Sequence, residues 1–193
     1  MPEGLVHPAN PAGGQKVSVL VGPGYVGGMD EQLADDFREA MAHVSAPVSV
    51  VTTMVDGVPH GSTVSAFASL SIHPPMVLIA LDNRGALVGH IRRSGRLAVN
   101  VLADDQADLA VRFATPTIRD RFDGIPWRDD HGLPRIEGTV DWIRCDHVVF
   151  EPGGDHTVLL ATVSAAETSG RHGLTYYMRH FGSARRALEP GSH

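Results

Sequence analysis

Residues 60–75 read HGSTVSAFASLSIHPP and place five hydroxyls, Ser62, Thr63, Ser65, Ser69 and Ser71, in a run of ten residues. Such short side chains fill little core volume, but they present stiff donors and acceptors, and Gly61 lets a ligand approach the backbone closely. Hydroxyls beside exposed backbone N–H groups suit a phosphate or a sugar-alcohol chain. Val64, Phe67, Leu70 and Ile72 interleave with them and would hold the segment to a core. Taken alone, the same pattern also describes a solvated strand face whose Ser and Thr bond their own backbone. No GK[ST] follows, which excludes a P-loop, and no GxSxG lies near it, which excludes a nucleophile elbow.

Other residues with chemical potential are more scattered. His156, in EPGGDHTVLL, follows a tight turn at the mouth of a strand, where an imidazole can orient a ligand or supply positive charge near neutral pH. A surface loop histidine is the plainer reading of the same residue. Arg112-Phe113 put a cation beside an aromatic, and Tyr176, Tyr177 and Phe181 form an aromatic cluster; a salt-bridging arginine and ordinary packing are the structural alternatives. The eleven histidines include no HExxH or HxH pair, and Cys145 is the only cysteine, so no metal site is expected. Gly22, Gly24 and Gly27 in VSVLVGPGYVGG match GxGxxG. The acid that a dinucleotide fold needs about 20 residues later falls inside a predicted helix, and Pro23 removes a backbone donor. A glycine-rich arm is the preferred reading.

The elements that would position these residues follow from periodicity. Residues 30–45 space Leu33, Phe37, Ala40, Met41 and Val44 as a helix, with Asp30 and Glu31 at its N-terminus and Pro47 beyond it. Two strands flank Asp56-Gly57, a strong hairpin turn. Met76–Leu81 is apolar enough for a strand buried on both faces. Residues 86–93 read as a helix stopped at Ser94-Gly95, 96–103 as a strand, and 104–115 as a helix capped by Asp104 or Asp105. Residues 116–135 read as loop. Two long strands joined by EPGGD occupy the last third, and YYMRHF adds a short edge strand. Many strands around a few helices predict an α+β fold, a β-barrel with flanking helices. The expected divisions are an arm at 1–29, a domain at 30–185 and a tail at 186–193.

Composition sets outer bounds. A chain of 193 residues, 42% hydrophobic and 20% charged, can bury a sizeable core. A net charge of −6 without any basic run argues against nucleic acid as a partner. No membrane span or secretory leader is expected, and a single cysteine fits a cytoplasmic location.

The blocks FREAMAHVSAPVSVVTT, PHGSTVSAFASLSIHPPMVLIAL, SGRLAVNVLADDQADLAVRFA, RFDGIPWR and EPGGDHTVLLATV occur in this order across residues 33–182. In that order they resemble the flavin reductase-like family, the FMN-binding split barrels that supply reduced flavin to two-component monooxygenases. The resemblance implies a Greek-key-like split barrel, FMN or FAD as flavin, NADH or NADPH as reductant, a homodimer, and a flavin-dependent monooxygenase served by diffusible reduced flavin. It also implies residue roles. His60, Gly61, Ser62, Thr63, Ser65 and Ala66 would wrap the flavin, with Ala80, Leu81 and Asp82 beside it. Arg84, Gly85, Ala86 and Leu87, together with Arg112 and Phe113, would lie on the phosphate side. His156 would face the nicotinamide and act in catalysis, and Tyr176 and Tyr177 would border the nicotinamide pocket.

Two segments depart from the family pattern. RGAL lacks the Ser or Thr that many relatives place in this turn, and YYMRHF has Met178 and Arg179 where Arg and Gly are frequent. Loose flavin binding would suit a diffusible product. A flavoprotein that keeps its FMN for its own organic substrate, and a non-catalytic module with a degenerate flavin site, are the alternatives.

Overall fold

The computed structural model describes residues 31–184. They fall into two units divided within the first helix, between Phe37 and Arg38; the second unit carries everything described below apart from the first turns of that helix. The GxGxxG match, the arm at 1–29 and the tail at 186–193 lie outside the described residues.

Helix α1 spans Glu31–Ala42 and is followed by β1, Ala46–Pro47. The hairpin expected around Asp56-Gly57 is β2, Ser49–Val55, and β3, Val58–Val64. Asp56 and Gly57 have φ of 51° and 77°, the paired left-handed conformation that matches the twist of a two-residue hairpin. The hydroxyl-rich run then continues as β4, Phe67–Ile72, and turns into β5, Pro75–Asp82. After α2, Leu87–Ser94, and β6, Leu97–Val101, the chain forms α3, Ala107–Ala114. A hairpin, β7 (Trp127–Asp130) and β8 (Leu133–Ile136), precedes the two long strands β9, Asp141–Gly153, and β10, His156–Thr168. A second hairpin, β11 (Leu174–Tyr177) and β12 (His180–Ser183), turns through Met178 and Arg179, both at positive φ.

Seven strands make one antiparallel sheet in the order β3-β2-β6-β9-β10-β5-β4. Its two outer strands, β3 and β4, are neighbours in sequence, yet they do not pair. The barrel is therefore split, and the split is bridged only by Ser65-Ala66. Amide N–H groups of Phe67 and Ala80 donate to the carbonyls of Ser65 and Ala66 and pin that bridge. No helix among the described residues is long and apolar enough to cross a membrane.

Strand periodicity builds two cores from one strand. β2 is buried on both faces: Val51 joins Ile79, Leu81, Ile91, Leu97, Val99 and Leu159 inside the barrel, while Val48 and Val50 join Phe113, Phe122, Ile136 and Leu174 outside it. Leu87 and Ile91, four residues apart, plug α2 into the first core. Ala110 and Phe113 seat α3 on the second. Asn100, fully buried, donates to the Val50 carbonyl and accepts from the Ile136 amide, and Thr52 donates to the Pro134 carbonyl, so the β7–β8 hairpin is held by satisfied polar groups.

Four expectations are corrected. β5 buries Val77, Ile79 and Leu81 on one face only, because its other face is turned toward partly open surface. Neither Asp104 nor Asp105 caps α3; Gln106 holds the N-cap position without a side-chain cap bond, and Asp105 pairs with Arg171 instead. The stretch read as loop contains the β7–β8 hairpin, and the single edge strand is the β11–β12 hairpin. Helix α1 forms at the spacing read from the sequence; Leu33, Phe37 and Met41 on it, and Val44 just beyond it, are exposed.

Candidate functional site

Two adjoining cavities open where the barrel splits. The smaller, about 190 Å³, runs along the bridge: Ser62 to Ala66 form one wall, Ala80 to Asp82 at the end of β5 form the other, and His156 closes one end. The larger, about 1160 Å³, extends from His60-Gly61-Ser62 past the 84–87 turn to the loop at 116–123 and Trp127. Ser62, Asp82, Gly85 and Leu87 line both.

Each side chain's position has a local cause. The Thr63 hydroxyl donates to the Ala110 carbonyl at 2.7 Å, so it ties β3 to α3 while its backbone faces the cavity wall. Ser62 and Ser65 make no side-chain hydrogen bond within the described residues, which leaves two hydroxyls for a ligand. Gly61 is required by packing: a Cβ there would come 3.1 Å from Phe113 and 3.3 Å from Phe122. Asp82 grips the Arg84 guanidinium with both oxygens and also accepts the Arg84 amide. The Arg84 side chain, followed by its amide, holds the Asp82 carboxyl down at about 2. That pair shapes the turn entering α2, and Gly85, Ala86 and Leu87 at the start of the helix line the larger cavity.

His156 starts β10 directly opposite Asp82 in the β5 ladder. Its Nδ1 lies 2.7 Å from an Asp155 oxygen, which fixes the ring and leaves Nε2 for the cavity. The bond from His156, and then its charge, hold the Asp155 carboxyl below its ordinary value. Asn83 completes the corner by donating its amide to the Asp155 carbonyl and accepting the Thr157 hydroxyl.

The structure brings most of the expected residues together. Ser62, Thr63, Ser65, Ala66, Ala80, Leu81 and His156 meet at the smaller cavity, and His60, Gly61, Arg84 and Ala86 at the larger, with Asp82, Gly85 and Leu87 shared. Four of the expected residues line neither cavity. Phe113 is fully buried beneath Gly61 as the core anchor of α3. Arg112 lines neither cavity; its guanidinium donates to the carbonyls of Asp120, Arg121 and Asp123 and so braces the far wall. Tyr176 and Tyr177 lie on β11 in a separate three-stranded sheet and line neither cavity.

Sequence reasoning missed His90, Arg119 and Arg121 in the larger cavity. His90 sits one helical turn after Ala86, and the block RFDGIPWR already contained Arg121. Spacing could have suggested the first; only the fold shows that the loop doubles back against β3, where Arg121 donates to the Gly61 carbonyl at 2.9 Å.

This arrangement suits a flavin. Small hydroxyls and backbone at one edge, Val64, Leu81 and Leu87 on the walls, and a helix N-terminus beyond fit an apolar planar ring carrying a polyol and phosphate.

Comparison with known proteins agrees. Residues 41–185 match the flavin reductase like domain. The chain is 36% identical over 147 residues to the reductase component of a 4-nitrophenol 4-monooxygenase/4-nitrocatechol 2-monooxygenase from Rhodococcus opacus, covering 76% of this chain and 79% of that one. It is 32% identical over 150 residues to an NADH-dependent flavin reductase from a Rhodococcus species, covering 76% and 84%. Among solved structures, an NADH:FAD oxidoreductase from Streptomyces globisporus superposes with a TM-score of 0.76 at 28% identity, covering 85% of this chain and 98% of that one. The split barrel with three helices is thus the flavin reductase fold, and the chain belongs to the flavin reductase like family. It is an oxidoreductase that reduces flavin.

Proposed function

We propose that the protein is an NAD(P)H:flavin oxidoreductase that hands reduced FMN or FAD to a flavin-dependent monooxygenase. The observation that carries this reading is the placement of Ser62–Ala66, Asp82, Leu87 and His156 around one cavity at the split of the barrel. A bound flavin would supply the redox chemistry, as acceptor of hydride from a nicotinamide. The chain's own part is placement. Ser62 and Ser65 offer hydroxyls to the polyol, and the 84–87 turn offers backbone donors to phosphate. His156, steadied by Asp155, presents Nε2 where it orients the nicotinamide or balances charge gained by the ring. No nucleophile is needed, and alignment accounts for most of the acceleration. The shallow cavity and the hydroxyl-free turn at Gly85 to Leu87 favour a flavin that exchanges with solution.

A homodimer is the second part of this reading. Met41, Val44, Tyr176, Tyr177, Met178 and Phe181 are exposed, and the amide of Met178 donates to the Ala42 carbonyl, so the β11–β12 turn lies against the end of α1. Apolar surface so gathered fits a subunit contact. A cytoplasmic location fits the single, buried cysteine.

The test is turnover of NADH or NADPH by purified protein with excess free FMN, FAD or riboflavin. Catalytic loss of nicotinamide absorbance supports the reading. Bound flavin without turnover points to a flavoprotein with its own substrate, and absence of both turnover and binding overturns the proposal. His156→Ala is expected to lower the rate while leaving measurable activity.

A further inference from the structure

His60 on β3 and His90 on α2 stack face to face in the wall of the larger cavity, with ring centroids 3.6 Å apart and planes 9° from parallel. The charged side chains around them cancel. Asp82 and Arg84 face them from the turn entering α2, and Arg119, Asp120, Arg121 and Asp123 from the opposite loop: three anions against three cations. The neighbouring Arg93 on α2 is paired with Asp56. The histidine pair therefore sets the sign of the cavity's charge.

Two imidazolium rings at that separation repel, so the pair carries at most one proton with ease. Burial, and then His90, hold His60 below the ordinary histidine value. An anion entering beside the pair reverses the balance by favouring the charged imidazole. Arg121 lines the same cavity with its terminal nitrogens donating to the carbonyls of Gly61 and Thr115, which holds the opposite loop against β3.

We propose that the stacked His60–His90 pair is a proton-linked reader of the phosphate-bearing end of the flavin nucleotide, taking one proton from solution when that end enters the larger cavity. No covalent bond changes; one proton moves from solvent to an imidazole nitrogen. The inference rests on the flavin reading above and adds a specificity element to it: FAD, with its permanently charged diphosphate, gains affinity as pH falls, whereas riboflavin, which lacks phosphate, does not.

The experiment is calorimetric titration of the protein with FAD and with riboflavin across pH about 5 to 8, in two buffers of different ionisation enthalpy. FAD affinity is expected to rise up to about tenfold per pH unit on acidification over the range where the pair titrates, with uptake of close to one proton. Riboflavin affinity is expected to stay flat, and the double variant His60→Gln/His90→Gln to flatten the FAD profile. Equal pH dependence for both flavins in the unsubstituted protein, no proton uptake with FAD, or an unchanged FAD profile in the double variant overturns the inference while leaving flavin binding intact. Failure of either flavin to bind at any pH removes the flavin reading and the inference with it.

Discussion

The two cavities share Ser62, Asp82, Gly85 and Leu87, but they are made differently. The smaller comes from two short runs, 62–66 and 80–82, that meet across the split where the Ala80 amide donates to the Ala66 carbonyl, with one histidine from the strand paired with β5. The larger is assembled from β3, the turn into α2, α2 itself and a loop more than fifty residues later in the chain. Its far wall stands only because Phe122 packs edge-on to Phe113 and Trp127, and because Arg112 and Arg121 spend donors on main-chain carbonyls. The ring-binding slot is thus built on strand segments whose patterning is local, though the segments themselves meet over long range, whereas the larger cavity also needs an irregular loop held by packing.

That contrast can be tested first at the residue beneath the wall of the larger cavity. Phe113→Ala removes the ring beneath Gly61 and beside Phe122. It is expected to cost about 3–5 kcal/mol in urea unfolding, and a loss below about 1 kcal/mol would contradict the packing described. Gly61→Ala is expected to cost about 1–3 kcal/mol through overpacking and to weaken flavin binding; wild-type stability would mean that the two phenylalanines yield freely.

Arg112→Ala separates the regions. It frees the 116–123 wall without touching the smaller cavity, so KM for FAD is expected to rise several-fold and that for riboflavin to change little. An equal rise for both would show that the regions are not independent.

The pH dependence of stability is a smaller effect. His60 sits below its ordinary value in the folded protein, so just under that value the unfolded chain binds more protons than the native one. Stability therefore falls as pH drops from 7 toward about 5. His60→Gln should reduce that slope in melting curves taken across the range; an unchanged slope would assign the loss to other groups.

The smallest expected effect is none at all. Cys145, buried within the barrel, has its thiol pushed up to about 12 by burial and then by Asp146. Thiol reagents at mild alkaline pH should label it only after unfolding. Labelling of the native protein would mean that the barrel opens.

How much of this was legible follows the same division. The strands around Asp56-Gly57, the C-terminal stop of α2 at Gly95 and both long strands could be read because period-2 patterning and turn residues act locally. The hydroxyl run and His156 belong to such local elements, and both reached the smaller cavity. The burial of Phe113 was not legible, because the sequence shows an aromatic beside an arginine but not which core claims it. The β7–β8 hairpin was missed because WRDD and LPRI alternate poorly, and they pair only once Asn100 and Thr52 satisfy Ile136 and Pro134 from another sheet. Helical spacing predicts α1, but spacing alone does not say what covers the apolar stripe, and Leu33, Phe37 and Met41 are exposed.

The most direct test of the central claim is a crystal structure of the protein saturated with FAD. The predicted result places the isoalloxazine against Ser62–Ala66 with His156 at one end, and the diphosphate between the N-terminus of α2 and the His60–His90 pair. A flavin seated elsewhere, for example against the β11–β12 hairpin with both cavities free, would contradict it.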